Sequence, residues 1–229
     1  MFTKFFRTII GLLIIPVAIG TAQAFGAAIS TISFLNGVLH ILERGVLLYV
    51  LFHIIVMRPV YIYVLAHEFV HVIATWICGG KVVSFSVKPS GGNVVTSKTN
   101  FFIELSPYFV PLYTIIIGGI FAIMRSMGQG PVFQSEILLF LIGASLAMHL
   151  VMTAEALRIQ QPDIMKSGIM FSYALIFILN LVVVIAVFSI IFADIKFAEF
   201  VRQAYNYSAH IYRLVYAKIL YLYAHYVKG

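Results

Sequence analysis

The sequence predicts an all-α polytopic membrane protein with about six transmembrane helices, a small β-hairpin and a C-terminal amphipathic helix. Of the 229 residues, 62% are hydrophobic and only 10% are charged, whereas soluble domains are about 25% charged. Several apolar runs are also long enough to cross a bilayer. The net charge of +7 is typical of basic residues that face anionic lipid headgroups. We therefore expect a lipid bilayer as a partner and no nucleic acid.

The first apolar run follows Lys4 and Arg7 and continues to about Leu35, which predicts a first transmembrane helix. An alternative stays open, because a basic start, an apolar stretch and the Ala22-Gln23-Ala24 triplet also describe a secretory signal. In that case residues 1–24 would be removed. The apolar character continues beyond Ala24, which favours a retained span.

The second span is predicted over residues 37–57, and Arg58-Pro59 ends it because proline disfavours a helical residue before it. Proline suits the start of the next helix, so a third span is expected from about Pro59 to Ile77, where Gly79-Gly80 stops it. This third span contains His67-Glu68-Phe69-Val70-His71 at its centre.

In a helix, His67 and His71 share one face and can hold one metal ion, and Glu68 beside them can act as a general base. The alternative is that so short a motif arose by chance. A metal site needs a third protein ligand. Asp163 is the best candidate, because it follows Pro162 at a break between two apolar runs; its alternative role is to cap the sixth helix.

Residues 81–98 predict a β-hairpin. Residues 81–88 alternate with period two, Pro89-Ser-Gly-Gly92 indicates a turn, and residues 93–98 are typical of the returning strand. Such a hairpin could hold an extended peptide by backbone pairing. A surface loop is the alternative.

Three more spans are predicted, over residues 101–124, 136–157 and 169–192. Glu104, Pro107 and Pro111 predict a broken entry to the fourth span beside a cavity. Strict alternation of six spans would leave both ends of the membrane domain, residues 1–193, on one side, and the basic N-terminus and C-terminal tail favour the cytoplasm for that side. Residues 194–229 predict an amphipathic helix in the headgroup region, and a helix that binds a partner protein or self-associates is the alternative.

His67-Glu68-Phe69-Val70-His71 within an apolar helix, the following Gly-Gly and hairpin, and Gln161-Pro-Asp163-Ile-Met-Lys-Ser-Gly168 together resemble the site-2 protease family of intramembrane zinc metalloproteases. The resemblance covers about 100 residues between Tyr61 and Gly168. It implies that His67, His71 and Asp163 bind Zn2+ and that Glu68 is the general base. It also implies a membrane protein or peptide as substrate and, from the bacterial members, the inner membrane of a prokaryote.

Two departures from the family pattern concern the substrate. Many members have Leu-Asp-Gly where this chain has Pro162-Asp163-Ile164, and a Gly-Pro-x-x-Asn-like stretch is replaced here by residues 100–111. Asn100 or Ser106 could take over substrate binding. Two other hypotheses are a catalytically inactive relative that acts as a membrane scaffold, and a small transporter, which would predict internal repeats that the chain does not have.

Overall fold

The computed structural model describes residues 2–33, 36–88, 91–128, 132–159 and 161–226, and the fold is 79% helical. Five helices are long and apolar enough to cross a membrane, and a bent pair of helices makes a sixth if it counts as one span. The fold is thus compatible with the predicted all-α membrane protein.

The helices are α1 (Phe2–Leu13), α2 (Ile15–Ile29), α3 (Gly37–Ile55), α4 (Val60–Ile77), α5 (Phe101–Leu105), α6 (Leu112–Ser126), α7 (Val132–Arg158), α8 (Pro162–Ser167), α9 (Ile169–Ile191) and α10 (Phe197–Tyr226). A 3₁₀ turn, Ser106–Tyr108, follows α5, and the strands are β1 (Val82–Lys88) and β2 (Gly91–Thr96). The chain forms two compact units, Met1–Ile32 with Met170–Gly229, and Ser33–Ile169.

In the first unit, the predicted first span consists of two helices, because Pro16 in the first turn of α2 suits a new helix start after Ile14. Helix α2 ends at Ile29, and the predicted end at Leu35 lies outside the described residues. The signal-like triplet lies inside α2, where Ala24 is fully buried.

Helix α10 packs along α2 in the opposite direction. Gly20 contacts Ser208 so closely that a Cβ at Gly20 would overlap it, and the Tyr212 hydroxyl donates to the Leu13 carbonyl. Phe200 and Ser208 are buried, while every residue from 213 to 226 is exposed. The predicted C-terminal helix is therefore packed along half of its length.

In the second unit, α3 and α7 lie side by side and run in the same direction. A Cβ at Gly143 would overlap the Leu42 carbonyl, and further along both helices His53 contacts Glu155. Six strictly alternating spans would make these two helices, the second and fifth spans, antiparallel. Because α4 runs back from the end of α3, it ends at the side where α7 begins. The segment between α4 and α7 must therefore start and end at that same side of the unit.

The segment that the sequence predicts as a continuous fourth span is bent by 72° between Phe101–Tyr108 and Leu112–Ser126. The segment returns along α4 up to the bend: Ile103 in the first leg contacts His71, and Tyr113 at the start of the second leg donates to the Ile62 carbonyl. The break falls where prolines remove backbone donors, as the sequence predicts from Pro107 and Pro111.

The predicted β-hairpin is present. β1 and β2 pair antiparallel, with Phe85 opposite Val94, and an irregularity between Val82 and Ser84 shifts the register. β2 begins at Gly91, two residues before the predicted start, and Pro89 and Ser90 lie outside the described residues. The hairpin packs on α4, so that Gly92 contacts the Glu68 side chain.

Candidate metal centre

Helix α4 holds the motif residues as the sequence predicts, with His67 and His71 one turn apart and their ring centroids 5.0 Å from each other. The helix is continuous through the motif and is followed by Gly79 at φ 67°, a conformation that glycine adopts readily. Glu68 and His71 are buried, at 8% and 9% exposure. The His67 ring packs edge-on against the Tyr108 ring, with 4.9 Å between the ring centroids.

The backbone of α5 fixes the orientation of His71. Its Nδ1 lies 2.8 Å from the Ile103 carbonyl oxygen, and a carbonyl only accepts, so Nδ1 carries the proton and donates. In the neutral ring Nε2 is then the acceptor. Metal-binding histidines usually donate their other nitrogen in this way.

Helix α8 contains Asp163 and positions it next to His71. Asp163 Oδ2 lies 3.4 Å from His71 Nε2. α8 begins at Pro162 and is separated from α9 by Gly168 at φ 92°. Asp163 therefore lies in the first turn of α8, a short helix that is separate from α9. The alternative that it caps the sixth predicted span does not hold.

One ligand atom each from His67, His71 and Asp163 lie within 4.8 Å of one another, and this is the only such group within the described ranges. Two acceptors 3.4 Å apart need a proton or a cation between them. Ligands at about 2.0–2.1 Å from a tetrahedral metal lie about 3.3–3.4 Å apart, which fits the Asp163–His71 distance. His67 Nδ1 is buried without a hydrogen-bond partner among the described residues.

The Asp163 carboxylate carries the negative charge of the group. Burial raises its pKa, but the hydrogen bond and charge of a protonated His71 ring, with smaller contributions from His67 and Lys166, outweigh burial and lower the pKa below its usual value. Asp163 is consequently ionised at neutral pH, the form in which a carboxylate binds a metal.

These side chains border a cavity of about 250 Å³. Its lining comes from α4, from β2, from the α5 region and from α8: His67, Glu68, His71, Gly92, Asn93, Val94, Thr96, Thr99, Ile103, Glu104, Gln161, Pro162, Asp163 and Lys166. Glu68 thus shares one polar cavity with all three candidate ligands. The arrangement could hold a divalent metal ion with a carboxylate beside it.

The two predicted substrate-binding residues lie outside this lining. Asn100 caps α5, accepting from the Ile103 amide at 2.9 Å, and its side-chain amide contacts Cys78. Ser106 is buried at 1% exposure, with its hydroxyl 3.4 Å from the Ile103 carbonyl. The structure gives both residues local backbone contacts in the α5 region.

Several residues that contact the candidate site were not assigned to it from the sequence. Ile103 contributes a backbone carbonyl, which the identity of its side chain does not reveal, and Gly92 was expected only to form a turn. Glu104 was noticeable as a carboxylate in an apolar run, which often marks a functional site. Its carboxylate accepts from Thr99 at 3.0 Å and from Ser167.

A second polar cluster joins the C-terminal ends of α3 and α7. His53 contacts Tyr49 through Nδ1 at 3.1 Å and Glu155 through Nε2 at 3.3 Å, and Arg58 lies 3.5 Å from the same carboxylate. Glu155 thus bonds to His53 and to none of the candidate metal ligands. His149 is buried in α7.

Comparison with known proteins finds no match to a protein family, to a curated protein or to a solved structure. The resemblance to site-2 proteases therefore depends on the sequence motifs alone.

Proposed function

We propose that this protein is an intramembrane zinc metalloprotease that hydrolyses peptide bonds of membrane-embedded substrates. The observation that supports this most is the convergence of His67, His71 and Asp163 in one cavity with Glu68. A helix motif and a distant aspartate have no reason to meet in this way if the motif arose by chance.

Zinc is the metal that this donor set suits best. Two imidazoles and one carboxylate are typical of catalytic zinc sites, in which three protein ligands leave a fourth position open. Bound zinc would lower the pKa of a water molecule towards 7 and polarise the scissile carbonyl. His71 is already oriented for this by its bond to Ile103, and Asp163 supplies the negative charge.

Glu68 is the proposed general base. Its carboxylate is buried and lines the ligand cavity, where it can take a proton from the attacking water and pass it to the leaving amine nitrogen. Gly92 packs against this side chain, and a Cβ at Gly92 would lie 2.6 Å from Oε1. The contact limits the positions that the carboxylate can adopt and excludes bulk water from one side.

The hairpin is the proposed binding site for an unwound substrate segment. Residues of β2 line the cavity, and no described residue of β1 does. β2 pairs only with β1 in the described part of the chain, so one edge is left to pair with an extended peptide. A transmembrane substrate must unwind locally before its backbone reaches the cavity, because a helix satisfies its own backbone groups.

The proposed arrangement in the membrane follows from the parallel packing of α3 and α7. Residues 101–126 enter and leave on the hairpin side of the bilayer. Among the basic residues of the hairpin region and of the ends of α3, α4, α6 and α7, that side then carries Lys81, Lys88, Lys98 and Arg125, against Arg58 and Arg158 opposite. The positive-inside rule favours a cytoplasmic hairpin side, the reverse of the orientation expected from six alternating spans. The resemblance to bacterial site-2 proteases supports the inner membrane of a prokaryote.

A second candidate function is a catalytically inactive, site-2-protease-like scaffold. It is favoured by the exposed half of α10, residues 213–226, which combines tyrosines with Arg213 and Lys218. Such a composition suits the headgroup region or a partner protein, including a second copy of the chain.

Glu68→Gln separates the two functions. Purified protein in liposomes is incubated with a pool of labelled transmembrane peptides, and cleavage is followed by mass spectrometry. We expect cleavage by the wild-type protein, inhibition by a chelator and recovery with Zn2+, whereas Glu68→Gln keeps its metal and does not cleave. Cleavage at the wild-type rate by Glu68→Gln would exclude the proposed mechanism.

A further inference from the structure

We propose that Glu104 is a positioning residue that holds Asp163 at the metal centre by anchoring α8 through Ser167; the inference depends on the proposed metal site. Neither the motif nor the proposed mechanism uses Glu104. It is nevertheless a buried carboxylate, 7% exposed, at the edge of the ligand cavity.

Both carboxylate oxygens of Glu104 are engaged. Oε2 accepts from the hydroxyl of Ser167, which is fully buried, and Oε1 accepts from Thr99 at 3.0 Å. A buried carboxylate is costly unless its oxygens are bonded in this way. The pair is therefore a specific connection between α5 and α8.

Helix α8 needs such an anchor. It has only six residues, and so short a helix is not stable on its own. Asp163 and Ser167 are four residues apart, which places them on the same face of α8. A bond that holds Ser167 at the last turn consequently sets the position of Asp163 at the first.

Helix α5 connects two of the three candidate ligands. The Ile103 carbonyl accepts from His71 Nδ1, and the next residue, Glu104, bonds to Ser167. Adjacent residues of one short helix therefore orient His71 and anchor the helix of Asp163. Loss of the Glu104–Ser167 bond should loosen Asp163 and leave the His71 contact in place.

The test measures the Zn2+ dissociation constant of the purified full-length chain in detergent, by competition with a chromophoric chelator. Glu104→Ala and Ser167→Ala should each weaken Zn2+ binding about 10–100-fold, as expected for groups that support metal ligands. The double variant should bind Zn2+ no more weakly than the single variant with the lower affinity, because both single substitutions remove the same bond. Glu104→Gln keeps an acceptor for Ser167 and should lose less than Glu104→Ala.

Glu155→Gln is the matched control. It removes a partly buried carboxylate that contacts His53 and Arg58, and Zn2+ affinity should not change. Thermal unfolding without metal is measured in parallel, since a purely structural role would lower stability and leave the Zn2+ affinity of the folded protein unchanged.

The outcomes are distinct. Wild-type Zn2+ affinity in folded Ser167→Ala would overturn the inference. Because Ser167→Ala removes only one hydroxyl, this variant decides the test even if Glu104→Ala does not fold. Additive losses in the double variant would also overturn it. A wild-type chain that binds no Zn2+ would instead refute the proposed function.

Discussion

His71 Nε2 lies 3.4 Å from Asp163 Oδ2, although the two residues belong to different helices that are far apart in the sequence. Because the Ile103 carbonyl holds the other ring nitrogen of His71, both facing atoms are acceptors in the neutral ring. A metal ion or a proton between them removes the repulsion. The contact joins the two sequence motifs into one candidate site.

Replacing Gly92 with alanine tests whether the hairpin positions the general base. The backbone φ of Gly92 is not in the left-handed region, so alanine affects packing and not backbone strain. Its Cβ would overlap the Glu68 side chain. We expect peptide hydrolysis to fall at least about tenfold, or ~1.4 kcal/mol in the activation free energy, while Zn2+ stoichiometry stays at the wild-type value.

Gly119→Ala is the control for this variant, since nothing lies within 4 Å of a Cβ at Gly119. Alanine is favoured over glycine inside a helix, so stability and hydrolysis should be unchanged or slightly higher. Normal hydrolysis by Gly92→Ala would show that the hairpin does not control Glu68.

Gly45→Ala tests the close packing of α3 against α7. A Cβ at Gly45 would overlap the Phe140 carbonyl oxygen, and overpacking of this kind costs about 1–3 kcal/mol. We expect a lower Tm in detergent, with Zn2+ binding retained by the folded fraction because α3 carries none of the ligands. An unchanged Tm would mean that the two helices do not approach as closely as described.

Membrane topology is testable by cysteine labelling in a Cys78→Ser background. Met57→Cys, Lys81→Cys and Met127→Cys place single thiols at exposed positions at the ends of α3, α4 and α6. We expect an impermeant thiol reagent to label positions 81 and 127 from one side and position 57 from the other. Labelling of 81 and 127 from opposite sides would restore six alternating spans.

The long helices and the hairpin could be predicted because each has a local signal. Apolar runs of about 20 residues, the Arg58-Pro59 break and the period-two pattern from Lys81 to Lys88 report on secondary structure directly. The motif spacing likewise places His67 and His71 on one face of any helix. These features require no knowledge of tertiary contacts.

The relative direction of the helices could not be predicted in this way. Apolarity reports that a segment is buried in lipid or protein, and it does not report whether the segment crosses fully. The prolines of residues 101–111 indicated a break, but the return along α4 depends on tertiary contacts such as Tyr113 with the Ile62 carbonyl. The same applies to Glu104 and Ser167, whose bond joins two short helices.

Metal content is the most direct test of the central claim, that His67, His71 and Asp163 form one metal site. Wild-type protein, His67→Ala and Asp163→Ala are purified in parallel, with Glu155→Gln as the control, and zinc per chain is measured by inductively coupled plasma mass spectrometry. We expect about one zinc per chain in the wild-type protein and in Glu155→Gln, and its loss in both ligand variants. Zinc retained at wild-type stoichiometry by Asp163→Ala would contradict the account.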